Sequence, residues 1–292
     1  MENKVYQMVT DRIIEQMQKG IIPWRKPWHG AQATGEDVAI SYASRRAYSQ
    51  INQWLLGNVP GEYLTYKQIQ EAGGRIKKGE KAQFVVFYTK YEFKVKDEKT
   101  GEEKLNSIPV LRYYNVWHLA QTEGIKSKIV PGEKVEVESD GLAEKVIADY
   151  IQRTGLSFHN DRPSNRAYYA PGVDEVVVPM PNQFSRMSEY YSTTFHELTH
   201  STMKADRCNR KTENEGAFFG NENYSREELV AEMGSAMLLS RCGIETPKTF
   251  QNSVAYLKSW IKALKNDMKM IIWAASRAEK AASFIWGEKE AI

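Results

Sequence analysis

Phe195-His196-Glu197-Leu198-Thr199-His200-Ser201 is the stretch that decides how the rest of this chain reads. Two histidines four residues apart on a helix stand on one face, about a turn apart. Both imidazoles can then reach a single Zn²⁺ at the usual Zn–N distance of about 2.0–2.1 Å. Glu197 follows the first histidine and projects beside the ion rather than onto it, where it can hold a water and take its proton. The flanks predict a helix from Ser188 to Met203, with Ser188 as its N-cap and Tyr191, Phe195 and Leu198 on its core-facing stripe. The plainer alternative is a pair of surface histidines that happen to flank a glutamate. One zinc ion per chain, held by His196 and His200 with Glu197 as the catalytic base, is the sharper expectation.

Catalytic zinc takes three protein ligands and keeps one position open. Downstream, Arg226-Glu227-Glu228-Leu229-Val230-Ala231-Glu232-Met233 puts Glu228 and Glu232 on one helix face, with Ala231 small enough to allow close helix approach. The segment resembles the Glu-x-x-Ala-acidic pattern of His-His-Glu metallopeptidases. That resemblance implies Glu228 as the third metal ligand and Glu232 as a carboxylate supporting a ligand histidine through its free ring nitrogen. The exchange of those two roles is the alternative. His29, His118 and His159 lack ligand spacing, although His159-Asn160-Asp161 sits in a polar turn that could touch a substrate. Tyr168 to Pro179 reads as a strand pair ahead of the histidine helix. An edge strand there would hold an extended peptide through main-chain hydrogen bonds.

Hydrophobic residues at 41% and charged residues at 26% describe an ordinary soluble protein with a real core. No run of about 18 apolar residues appears, so no membrane span is expected. The first residues lack a signal-peptide apolar block, which makes the cytoplasm the expected location. Cys208 and Cys242 cannot make a Cys-rich zinc module and read as two reduced thiols.

The net charge of +3 is unevenly spread. Residues 1–128 carry 20 Lys and Arg against 14 Asp and Glu, and the remainder 20 against 23. That contrast supports a front domain over residues 1–128, a linker over 129–140 containing Pro131-Gly132, and a back domain over 141–292. Helical periodicity appears before Gly20, over Tyr42 to Leu56, and over Lys67 to Gly73. Strand texture follows over Ala82 to Thr89, Tyr91 to Lys96 and Ile108 to Val116, the last two joined by a charged hairpin turn. The back domain reads as helices over Gly141 to Thr154, Ser188 to Met203, Ser225 to Leu239 and Ser253 to Trp286, with a short strand from Asp174 to Pro179. The whole is an α+β protein.

Trp24-Arg25-Lys26-Pro27-Trp28 interleaves two indoles with two cations. Arg45, Arg46 and Tyr48, then Lys67, Arg75, Lys77, Lys78 and Lys81, add further cations near aromatics and glycines. Single-stranded nucleic acid calls for this combination, because cations follow phosphates while flat rings stack on unpaired bases. The plainer alternative is that tryptophans beside prolines pin a loop to a core and that basic runs are solvated.

With these residues in order, the whole chain resembles the ArdC-type antirestriction proteins of conjugative plasmids and transposons, and their relatives in phage polyvalent proteins. In front the likeness rests on Thr10-Asp11-Arg12-Ile13-Ile14, Pro23-Trp24-Arg25-Lys26-Pro27-Trp28, Tyr48-Ser49-Gln50-Ile51-Asn52, Leu64-Thr65-Tyr66-Lys67-Gln68, Gly73 to Lys81 and Tyr113-Tyr114-Asn115-Val116-Trp117. Behind, it rests on Tyr190 to His200, Tyr224 to Glu232, Tyr256 to Trp260 and Ala274 to Ala278. Asn115-Val116-Trp117-His118 departs from an expected Asn-Val-Phe-Asn, away from the metal residues. The resemblance implies an N-terminal α+β domain that binds single-stranded DNA. Behind it, a mainly helical zincin-like metallopeptidase domain with a small antiparallel sheet is implied, and together they protect incoming DNA from host restriction. A protein or peptide substrate is implied, and no membrane partner. Two other readings remain: a non-enzymatic DNA shield with a structural metal, and a cytoplasmic metallopeptidase that works without DNA.

Overall fold

Val5, Tyr6, Val9, Ile13, Ile14 and Met17 recur with helical period, and in the computed structural model they form the buried face of α1 (Glu2–Gln18). The structure describes residues 2–19, 21–25, 38–96, 103–129, 139–210, 222–244 and 254–288. A short 3-10 turn over Pro23–Arg25 follows α1. The front half continues with β1 (Ala39–Ser41), α2 (Gln50–Leu55), β2 (Gly61–Leu64), α3 (Tyr66–Glu71), β3 (Arg75–Ile76), β4 (Gln83–Lys96), β5 (Glu103–His118) and β6 (Thr122–Glu123). One sheet has the order β1-β2-β5-β4, with β1 parallel to β2 and the other neighbours antiparallel. β3 and β6 form a separate two-stranded pair.

Two buried amides clamp α2 to this sheet. Asn52 donates to the Val86 carbonyl at 2.9 Å and accepts from the Val86 N–H at 2.7 Å. Gln53 treats Ala39 the same way, at 2.8 and 2.9 Å. Each amide satisfies a strand donor and acceptor that would otherwise be buried unpaired. The pleat sends neighbouring valines to opposite sides. Val86 enters the main core, whereas Val85 joins a smaller cluster of Ala39, Leu56, Tyr63 and Val116.

Two front-half expectations need correction. The helix expected over Tyr42 to Leu56 begins only at Gln50. Before it, the Ser41 and Tyr42 N–H groups donate to Arg46 and Tyr63 carbonyls, Ile40 bridges to Ala47, and Arg45 has a φ of 61°. Sheet pairing and a left-handed residue exclude helix there. The strands expected over Ala82 to Thr89 and Tyr91 to Lys96 are one 14-residue strand, paired with β5 from Gln83↔Val116 to Lys96↔Glu103. The charged turn expected to join the hairpin falls in 97–102, outside the described residues.

The back half comprises α4 (Ser139–Thr154), β7 (Ser157–His159), β8 (Tyr168–Ala170), β9 (Glu175–Val177), α5 (Met187–Ser201), α6 (Glu222–Arg241), α7 (Val254–Asn266) and α8 (Met270–Trp286). Its small sheet, of order β7-β9-β8, is mixed rather than antiparallel. β8 turns back on β9, but β7 lies parallel to the other edge of β9. Asp174, in the turn between β8 and β9 with a φ of 53°, accepts from Lys204 and Arg207 at 2.8 and 2.7 Å and so ties the sheet to the end of α5. The N-cap of α5 is Arg186, not Ser188, and its side chain makes no capping bond.

The single C-terminal helix expected over Ser253 to Trp286 is two. Asp267 interrupts it by accepting from the Lys269 N–H at 3.0 Å and from Arg226 at 2.6 Å. An aspartate bonding its own backbone two residues on favours a turn over a helix. Of the linker expected over 129–140, residues 130–138 lie outside the described residues, and Ile129 already packs on the core. That core runs from Val9 and Ile13 of α1 through Trp24, Val86 and Leu111 to Leu229 and Leu238 of α6 and Ile271 and Ala275 of α8. The Thr10 hydroxyl donates to the Met268 carbonyl at 2.8 Å, joining α1 to the turn between α7 and α8.

Candidate metal centre

The histidine helix is anchored by its buried stripe. Tyr190, Tyr191, Thr194, Phe195 and Leu198 face the core, leaving His196 and His200 on the side toward α6. There α5 and α6 come very close. A Cβ on Gly234 would lie 2.7 Å from Thr199 Cγ2 and 2.8 Å from its Oγ1, so only glycine fits. This contact brings Glu228 of α6 up to the two histidines.

His196 Nε2 and His200 Nε2 are 3.1 Å apart. His196 Nε2 is 3.5 Å from one oxygen of Glu228, and His200 Nε2 is 3.4 Å from the other. A tetrahedral ion bonded at about 2.0–2.1 Å would separate its ligands by roughly 3.3–3.4 Å, so this donor set fits one. Ligand atoms from the three residues all lie within 4.8 Å of one another, and no other group of three or more potential metal ligands occurs among the described residues. The His196, His200 and Glu228 side chains keep 19%, 14% and 26% exposure, which leaves the centre reachable from solvent.

The outer ring nitrogens also meet carboxylates. Glu232 Oε1 lies 3.8 Å from His196 Nδ1, and Glu227 Oε1 lies 3.6 Å from His200 Nδ1. Glu227 is in turn held by Arg210 at 2.7 Å, with both side chains buried. Arg210 also donates to the Thr202 hydroxyl and the Thr199 carbonyl, at 2.7 and 3.0 Å. Burial alone would push the imidazole pKa values down. The facing carboxylates outweigh it, raising His196 and lifting His200 to about 10. Glu227 and Glu228 are conversely held below the usual carboxylate range, since their histidine contacts, with Arg210 beside Glu227, overcome desolvation. Glu197 is buried on the same helix.

Neither Glu227 nor Arg210 is visible as a site residue from spacing, because Glu227 is simply the acid beside the third candidate ligand. The remaining histidines serve elsewhere. His118 accepts from the Ala120 N–H at 3.0 Å, closing a turn, and His159 lies on β7 at 3.1 Å from Glu175. His29 is outside the described residues. Cys208 and Cys242 are buried free thiols.

Residues 145–277 match the zincin-like metallopeptidase family MPTase-PolyVal, and residues 3–117 match ArdcN, the N-terminal domain of anti-restriction factor ArdC. The crystal structure of the antirestriction ArdC protein from plasmid R388, in its metal-free form, superposes with a TM-score of 0.70 at 31% identity, covering 96% of each chain. The chain belongs to the ArdC antirestriction family. The Mn(II)-bound structure of that R388 protein gives a TM-score of 0.70 at 30% identity over 97% of each chain. Two Escherichia coli proteins named DNA primase TraC share 31% and 28% identity with 96% of this chain. This chain spans only 27% and 20% of their lengths, about a quarter. The uncharacterized protein y4eC of Sinorhizobium fredii is 28% identical over 98% of this chain and 92% of its own length.

Within the ArdcN region of this ArdC-family chain, the residues expected to meet DNA scatter. Trp24 is in the core, 3% exposed, with its ring 5.8 Å from that of Trp54, so it pins the turn after α1 and offers no face to a base. Of Arg25 only the backbone is described, and Lys26 and Trp28 lie outside the described residues. Arg45 is engaged by the buried Glu62 and by the Lys128 carbonyl. Lys67 pairs with Glu71 at 3.7 Å, Arg75 with Glu123 at 2.7 Å, and Lys77 donates to the Ala120 carbonyl at 2.7 Å. Arg46, Lys78 and Lys81 are exposed. Tyr48 is half-buried against Tyr63 and Phe87, and burial pushes its hydroxyl up to about 12. The β4–β5 hairpin, which carries none of the residues expected to meet DNA, exposes Phe87, Tyr88, Tyr91, Tyr113 and Tyr114. Aromatic residues on both parities of one strand are the signal, since a single core can bury only one parity. Among the described residues no helix is long and apolar enough to cross a membrane.

Proposed function

We propose that this chain is a zinc-dependent peptidase tethered to single-stranded DNA, acting for a mobile element to protect incoming DNA from host restriction. The observation that carries the reading is the convergence of His196 Nε2, His200 Nε2 and a Glu228 carboxylate on one point, beside Glu197 on the same helix. His196, His200 and Glu228 would hold the ion. When bound, a divalent ion supplies Lewis-acid polarisation of a peptide carbonyl and acidifies water. Glu197 takes the proton of the attacking water and passes it to the leaving amine. Glu232 and Glu227 face the outer ring nitrogens at 3.8 and 3.6 Å, and their charge favours the imidazole tautomers in which both Nε2 lone pairs would face the ion.

That the R388 relative has an Mn(II)-bound structure supports a divalent ion for this chain, and the His-His-Glu donor set favours zinc. The edge strands β7 and β8 of the small sheet supply main chain for an extended peptide. DNA tethering draws support from the ArdcN match, the basic balance of residues 1–128, and the presence of a similar unit within two DNA primases.

Glu197→Gln tests the chemistry. The variant should bind one zinc per chain, keep its affinity for single-stranded DNA, and lose peptide hydrolysis by about 100-fold or more. Its restriction protection in a mating assay should fall with that loss. Full protection by a metal-loaded but inactive variant would instead favour a non-enzymatic DNA shield.

A further inference from the structure

Antiparallel pairing places the β4–β5 hairpin residues on two faces. Val85↔Tyr114, Phe87↔Arg112, Thr89↔Val110, Tyr91↔Ile108 and Phe93↔Asn106 share one of them. At its root this face is covered by Tyr48 and the small cluster around Val85. Beyond that it is open, with Phe87 43%, Tyr91 51%, Tyr114 40% and Ile108 47% exposed. The rings form a row, with Tyr48 6.1 Å from Phe87 and Phe87 6.1 Å from Tyr114. Farther out, Tyr91 and Phe93 lie 6.2 Å apart with planes only 24° from parallel. That is within the range of offset-stacked rings, so the pair extends the row as one nearly coplanar aromatic platform.

Charge indicates what the face accepts. Among its described positions there is no acid, and Arg112 stands in the middle of the ring row. Glu92, the acid on this part of β4, belongs to the opposite face with Lys90 and Lys94. A row of open rings with a cation and no carboxylate suits unpaired bases whose phosphates pass the guanidinium.

We propose that Tyr48, Phe87, Tyr91, Phe93 and Tyr114, with Arg112, form the surface on which a single-stranded nucleic acid stacks its bases. This rests on the single-strand reading above and names its site. It moves that site from the basic loops to the hairpin.

The test uses the full chain, a short labelled oligothymidylate, and fluorescence anisotropy at several salt concentrations. Tyr91→Leu with Phe93→Leu keeps apolar area but removes the flat rings. Binding should weaken about tenfold per ring while the salt slope stays unchanged. Tyr91→Trp should bind as tightly as the parent or better. Arg112→Gln should lower the salt slope by about 0.7. Melting curves matching the parent show that the variants fold. A leucine variant that binds like the parent overturns this surface while leaving the DNA reading intact. A parent chain that binds no oligonucleotide at low salt removes the DNA reading itself. A parent dimer that the leucine variant dissolves would assign the face to a second copy and also overturn the proposal.

Discussion

Glu227 illustrates what one residue adds to a motif. His196, His200 and Glu228 are named by spacing and by resemblance to a known pattern, because i, i+4 geometry follows from the helix itself. Glu227 cannot be named that way. Its role depends on Arg210, which returns from beyond α5 to meet it at 2.7 Å, a long-range pairing without local sequence cause. Glu227→Ala leaves the buried guanidinium without that carboxylate and should destabilise the metal-free chain by about 3–5 kcal/mol, read by chemical denaturation. It also removes the carboxylate facing His200 Nδ1, so zinc affinity in a chelator competition should drop about 10- to 100-fold. Unchanged affinity would mean that packing alone orients His200.

Elements differ in how far local pattern determines them. α1, α3 and α4 follow their apolar periodicity and end within a few residues of the positions expected from the sequence. The Tyr42 to Ser49 stretch carries helix-compatible residues, yet its backbone groups are taken by Tyr63, Ile40 and Ala39, a partner choice that periodicity cannot see. The parallel pairing of β7 with β9 is equally nonlocal. The contact of α5 with α6 is a third such case, resting on Gly234 against Thr199. Gly234→Ala gains about 1 kcal/mol in helix propensity but must displace a buried threonine. A net loss of about 1–2 kcal/mol is expected, together with weaker zinc binding as Glu228 is pushed away from the histidines. A variant more stable than the parent, with parental zinc affinity, would contradict this close approach.

The whole molecule shares a single main core despite its two family matches. Charge asymmetry suggests two parts, but composition cannot report that α1 packs beneath helices more than 200 residues away, as the separation of Thr10 from Met268 shows. Ile13→Ala, at a fully buried position of α1, should cost about 2–5 kcal/mol. That loss should appear as one unfolding transition in which zinc release and loss of the front-half signal coincide. Two transitions, with only the first shifted, would show that the halves melt independently.

The bond from Thr10 to Met268 spans 258 residues. A ribosome adding roughly 5–20 residues per second needs about 13–50 s to make that stretch. Through that interval the oily side of the first helix can pack on β5 and α2 but lacks α7 and α8, so a nascent-chain chaperone has ample time to occupy the part still bare. Folding of the front of the molecule is therefore completed only once α7 and α8 have emerged.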